Sequence, residues 1–128
     1  MLFGAGILLS FLHYGMLMND GDFDFVLRYV GYGMACSLLI VGNIVGKIER
    51  NFFVGLSLPW TIASVENWRA THRLTGKLMV VCGALLLISN WVIPNKFIII
   101  FLTLSPGLIA VVYSFLYYLR NEKNGQSA

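Results

Sequence analysis

FIIIFLTLSPGLIAVVYSFLYYL, residues 97–119, contains no charged side chain. About 20 helical residues cross the hydrocarbon core of a bilayer. In lipid every backbone N–H and C=O has to bond within its own segment, so a run of this length predicts a helix. Working back along the chain, the same pattern recurs in residues 74–93, with Lys77 near the start, and in 25–46, with Arg28 near the start. It recurs again in residues 2–18, which carry no charge. The period-2 alternation of a membrane barrel is absent.

Composition points the same way. Of the 128 residues, 58 % are hydrophobic and 12 % charged, where a soluble chain averages about a quarter charged. So few charges cannot give a globule of this size a water-compatible surface, which excludes a free cytosolic enzyme and a disordered tail. The net charge of +3 is no nucleic-acid footprint, because the basic residues do not gather on one polar surface. Residues 2–18 lack the basic start and small-residue cleavage site of a signal peptide, so they are expected to stay as a span. The fold class is therefore an all-α membrane protein. Its expected form is a single domain over residues 1–128, a four-transmembrane-helix bundle with an interfacial cytoplasmic loop or helix, residues 47–73, between spans 2 and 3.

Sidedness follows from the short connections. Lys47, Arg50, Arg69, Arg73, Lys77, Arg120 and Lys123 fall on one side; Arg28 and Lys96 fall on the other, with Asp20, Asp22 and Asp24. Both termini and the 47–73 connection are expected to face the cytoplasm. Arg28 and Lys77 lie near span ends and can extend to the interface. Tyr113, Tyr117 and Tyr118 fit an inner aromatic belt and Trp91 an outer one. The turn at 94–96 is short enough to make spans 3 and 4 antiparallel neighbours.

Helices in lipid associate through small residues that let backbones approach. Gly31, Gly33, Ala35, Ser37 and Gly42 in span 2, and Gly76, Gly83 and Ala84 in span 3, predict that these two spans pack on each other. Cys36 and Cys82 read as small packing residues with free thiols. Three intramembrane polar residues stand out: His13, Asn43 and Asn90. His13 fits either a structural histidine or a role in binding or proton movement. Asn43 is placed to bond to the loop that follows.

Residues 47–77, KIERNFFVGLSLPWTIASVENWRATHRLTGK, hold too many bulky apolar side chains for a solvated linker. Set among charges, they predict a segment in the headgroup region or folded back on the bundle. Asn51 favours a turn, Gly55 permits a left-handed backbone, and Leu58 before Pro59 should be extended. Ser64 predicts a helix N-cap with Glu66 in the first turn. Glu66 and Arg69 are placed to pair, and Trp68 and His72 to share a face. An anchoring role and a recognition surface for a peptide, a lipid headgroup or a cytosolic partner are both open at this point.

Asn51-Phe52-Phe53-Val54-Gly55, Pro59-Trp60-Thr61, Glu66, Trp68, Thr71-His72-Arg73 and Gly76 together resemble the signature of the SdpI/YfhL family of bacterial membrane proteins. Gly42-Asn43 resembles the end of that family's second helix, and the resemblance extends over about residues 31–87. Where the family usually has Gly-Ile-Arg-Thr, this chain has Gly55-Leu56-Ser57-Leu58, so the family arginine is absent. The resemblance implies a multi-pass protein of the bacterial cell membrane. It implies immunity to a secreted, membrane-active killing peptide, and in the same family capture of a cytosolic repressor. The implied partners are the lipid bilayer, the toxin peptide and the repressor; the oligomeric state stays open.

No H-E-x-x-H, G-x-S-x-G or D-x-x-D pattern occurs, so no catalytic residue, metal ligand or cofactor is expected. Glu66 and His72 are six apart and fall on different helix faces. Ser105-Pro106-Gly107 interrupts span 4, where Pro106 removes a donor and should kink the helix. The alternatives are a small transporter or channel working through His13 or Pro106, and a membrane scaffold for a soluble regulator. The expected functional surface is the loop with Trp60, Trp68, His72 and Arg73, its aromatic rings holding an apolar partner and Arg69 and Arg73 holding acidic groups or lipid phosphates.

Overall fold

A computed structural model of the chain describes residues 2–18, 22–51 and 55–122. Phe52, Phe53, Val54, Asp20 and Lys123 lie outside the described residues. Among the described residues all regular secondary structure is helical, with no strand: α1 (Leu2–Leu17), α2 (Phe23–Val45), α3 (Pro59–Ala63), α4 (Val65–Val92) and α5 (Lys96–Tyr117), followed by a π-helical turn at Tyr118–Glu122. Three helices are long and apolar enough to cross a membrane: Phe23–Val45, Val65–Val92 and Lys96–Asn121. At 16 residues, α1 is apolar but shorter than these.

The surface is that of a body surrounded by lipid. Phe97, Phe101, Leu104, Leu108 and Val112 lie along one outward face of α5, with Phe101 71 % exposed and Leu108 66 %. In water such a continuous apolar face would be a large unfavourable patch; in hydrocarbon it is the required surface. The chain is a multi-pass membrane protein.

Small residues set the packing. The most extensive helix pair is α2 with α4, followed by α1 with α2 and α4 with α5. At Gly42 and Gly76 the two backbones nearly touch. A Cβ on Gly42 would sit 2.9 Å from the Gly76 carbonyl oxygen, and one on Gly76 would sit 2.7 Å from that of Gly42. Further along, Gly83 lies over the Ala35 carbonyl, and Gly31 faces the Asn90 amide. The expected pairing of spans 2 and 3 is thus present, with two differences. Gly33 faces Phe11 and Leu8 of α1, and Ala84 is exposed.

Polar groups in the helices find mostly local or backbone partners. Asn90 is buried, and its amide donates to the Arg28 carbonyl at 2.8 Å, while the Arg28 guanidinium donates to the Trp91 carbonyl at 3.4 Å. The sequence places Asn43 to bond to the following loop; in the structure it does not. Its amide donates instead to the Leu39 carbonyl one turn back, at 2.7 Å, because that acceptor lies on the same face of its own helix. His13 is exposed on α1. Pro106 lies buried inside α5, and the Ser105 hydroxyl lies 3.5 Å from the Leu102 carbonyl that the proline nitrogen cannot serve.

The turns end where the chemistry requires. Asn95 caps α5 by accepting the Phe97 N–H at 2.9 Å, and Asp22 caps α2 by accepting that of Asp24 at 3.0 Å. Gly76→Val is expected to lower the thermal stability of the detergent-solubilised protein by about 1–3 kcal/mol through overpacking. Gly107→Ala, with open space around the new methyl group, is expected to be neutral or mildly stabilising. Thermal melting followed by circular dichroism separates the two, and equal midpoints would mean that α2 and α4 do not rely on the glycine contact.

Candidate functional site

The connection between α2 and α4 is built from short local motifs. Leu58 is extended (ψ 151°), as a residue before proline must be, and Pro59 opens α3. The Thr61 hydroxyl accepts the Leu58 N–H at 3.0 Å and sits 2.6 Å from the Leu56 carbonyl, to which it can donate. Ser64 ends α3 and caps α4 by accepting the Asn67 N–H at 3.2 Å. From there α4 runs without a break, so residues 65–73 of the predicted loop are the first turns of the helix that crosses the bundle.

Longer-range bonds then fasten this segment to α4 and α5 and to itself. The Trp60 indole N–H donates to the Ser114 hydroxyl of α5 at 3.1 Å, and the Asn67 amide donates to the Ser114 carbonyl at 3.1 Å. The Asn67 side-chain oxygen in turn accepts the Thr71 hydroxyl at 3.1 Å. The Trp68 indole N–H donates to the Ile48 carbonyl just beyond α2, at 3.0 Å. Arg50 donates to the Ile62 carbonyl at 2.9 Å.

His72 closes the arrangement. Its ring stacks on Trp68, centroids 4.0 Å apart and planes 19° from parallel. Nδ1 lies 2.9 Å from the Trp68 carbonyl, and Nε2 lies 3.1 Å from the Leu56 backbone nitrogen. A carbonyl can only accept and an N–H can only donate. The two contacts together therefore fix a neutral ring with its proton on Nδ1. Gly55 passes directly over this ring with a positive φ of 112°. A Cβ there would collide with His72 Nε2, so both the backbone angle and the space demand glycine.

These bonds decide which signature residues are accessible. Thr61, Asn67, Trp68, Thr71 and His72 are buried, with Trp68 fully enclosed and His72 1 % exposed. Trp60, Asn51 and Gly55 are half-buried, while Pro59, Glu66, Arg69 and Arg73 are exposed. The sequence reading gives Trp68 and His72 to a partner-facing surface. The structure turns them inward, because an indole and an imidazole with backbone partners on both sides form a latch. Among the described residues Glu66 and Arg69 form no ion pair, in keeping with the small worth of a solvated pair. His13, Asn43 and Asn90 are not part of this cluster.

Two residues of the cluster, Asn67 and Ser114, escape a sequence reading. The available signal for Ser114 is spacing: Pro106, Ala110 and Ser114, four apart, are the buried small positions of α5. Asn67 lies three residues after the Ser64 cap. Neither position announces a hydrogen bond across 47 residues of chain. Among the described residues, no group of three or more His, Cys, Asp or Glu side chains could hold a metal ion.

A family model described as the SdpI/YfhL protein family matches residues 47–117, more than half of the chain. The match begins with the connection and continues through α5, taking in Ser114. The chain is also similar to the Immunity protein SdpI of Bacillus subtilis (strain 168), at 32% identity over 98 residues, which is 75% of this chain and 46% of that protein. The chain thus spans about half the length of the curated relative it matches. No solved structure matches it.

Gly55→Ala is expected to unseat His72 and to speed tryptic cleavage at Lys47 and Arg50 in the folded protein. Trp68→Phe keeps an aromatic ring but removes the indole N–H that serves the Ile48 carbonyl, and is expected to cost about 1–3 kcal/mol. Limited proteolysis and thermal melting read both effects. Wild-type behaviour of both variants would show that the latch does not hold the connection.

Proposed function

We propose that this chain, which belongs to the SdpI/YfhL protein family, protects the cell that carries it from a membrane-active killing peptide, by binding rather than by catalysis. The observation that carries the reading is the likeness to an immunity protein over three-quarters of the chain, joined to the latch that the family signature residues build. Asn51, Gly55, Pro59, Trp60, Thr61, Glu66, Trp68, Thr71, His72 and Arg73, with Phe52 outside the described residues, act together as this site. The buried members hold the shape, and the exposed members meet the partner.

The chain acts as a single membrane domain over residues 1–128, and α1 serves as a fourth span beside the three longer helices. The connection and both termini face the cytoplasm, the arrangement favoured by the lysines and arginines gathered near it. The killing peptide is met within the bilayer, at the exposed members of the connection. A cytosolic repressor is the second partner of this reading. Glu66, Arg69 and Arg73, exposed and three to four residues apart on α4, offer a charged row on the side where a soluble protein would dock.

Expression of the chain in a sensitive cell is expected to raise survival against at least one secreted membrane-active peptide, and Gly55→Ala is expected to abolish the protection. Unchanged killing across a broad panel of such peptides would overturn the immunity reading. Sidedness has its own test. In a background lacking Cys36 and Cys82, Ser57→Cys should resist an impermeant thiol reagent in intact cells, while Lys96→Cys should react. The reverse pattern would invert the topology.

A further inference from the structure

The end of the molecule that carries the latch also holds a basic cleft of about 690 Å³, between the C-terminal end of α2 and the first turns of α4. Lys47, Arg50, Arg69 and Arg73 line it, together with the acidic Glu49. Among the described residues none of these four cations is in an ion pair. Arg50 donates to the Ile62 carbonyl, which holds its guanidinium in place while leaving other N–H groups free to act. The general bias of basic residues toward one side of a membrane explains their presence at this end. It does not explain their convergence on one hollow.

A second hollow, of about 530 Å³, opens from the first and shares Gly46, Lys47 and Arg73 with it. It continues between α2 and α4 past Gly42 and Gly76 to Val80 and Val81. The four residues from Gly76 to Val80 rise roughly 6 Å along the helix, away from Lys47 and Arg73 and toward the middle of the span, with Lys77 on the groove wall. The glycines leave this groove shallow-walled, and Val81 is more than half exposed, so the groove faces the lipid side.

We propose that the cleft and the groove together bind one anionic phospholipid, with its phosphate among Lys47, Arg69 and Arg73 and an acyl chain along the α2–α4 groove. Guanidinium groups pair with phosphate through parallel N–H···O bonds, and basic pockets between membrane helices select anionic headgroups. A zwitterionic lipid would bring its own ammonium into a wall of four cations and one carboxylate. A free phosphate or an acidic peptide would use the cations but leave the apolar groove empty. The site depends on the helices crossing a bilayer; it shares Arg69 and Arg73 with the proposed partner surface, and lipid retention is read with no killing peptide or repressor present.

The test reconstitutes the full chain in nanodiscs of equal parts phosphatidylglycerol and phosphatidylethanolamine, then counts retained lipid by native mass spectrometry. Phosphatidylglycerol is expected to be retained over phosphatidylethanolamine by roughly tenfold, and Arg69→Gln/Arg73→Gln is expected to bring the ratio near one. Lys96→Gln, at the other end of the bundle, should leave the ratio unchanged. Val81→Trp, which fills the groove while leaving Lys47, Arg69 and Arg73 in place, should lower phosphatidylglycerol retention. An even ratio in the wild type, or a ratio indifferent to the double arginine variant, would overturn the proposal. So would displacement of the bound lipid by soluble glycerol phosphate as readily as by a short-chain phosphatidylglycerol, since the cleft would then recognise phosphate alone.

Discussion

The approach of the α2 and α4 backbones at Gly42 and Gly76 is the contact on which the rest of the molecule depends. Lipid tails gain nothing when apolar helices meet, so association rests on close van der Waals contact and on polar groups that find partners. Three levels of contact repeat along α4 at residues 76, 83 and 90, seven apart, against residues 42, 35 and 31 of α2. That interval keeps one face of each helix toward the other over most of the span. Each level uses an absent or small side chain on one helix to admit the backbone or a compact amide of the other.

Once those helices lie antiparallel and close, the connection between them has to turn back over the bundle end. Its backbone groups sit where water is scarce and unpaired donors are costly. The sequence meets this with side chains that carry both a large apolar body and a single polar tip, Trp60 and Trp68 above all. Each ring fills space under the connection while its N–H reaches α5 or the end of α2. Packing and hydrogen bonding are thus supplied by the same residues. Shape at this end and accessibility of Arg69 and Arg73 follow from one set of bonds.

Much of this was legible in the residues. Uncharged runs announce helices in lipid because no other local structure satisfies the backbone there. Ser64 before Val65, and Leu58 before Pro59, mark boundaries through single-residue chemistry that needs no tertiary context. Trp68 and His72, four apart, had to share a face. What stayed hidden was the direction of that face. Burial of Trp68 depends on where the Ile48 carbonyl ends up, and burial of His72 on Gly55 adopting a positive φ; both are set by folding of the whole connection. Asn43 shows the complementary difficulty. Two acceptors were within its reach, one in its own helix and one in the loop, and spacing alone does not rank them.

The latch has a further property in the nature of its acceptors. Trp68 donates to the carbonyl of residue 48, Arg50 to that of residue 62, and His72 to that of its own stacking partner. At the opposite end of the bundle Asn90 and Arg28 likewise address main-chain oxygens. A main-chain oxygen is the same whichever amino acid bears it. Positions 48 and 62 are therefore free to drift among residues of similar bulk without altering the bonds they receive, while the donors are fixed by the need for an indole or guanidinium. Sequence divergence in such a bundle would then be lopsided, tolerated at the receiving positions and resisted at the giving ones.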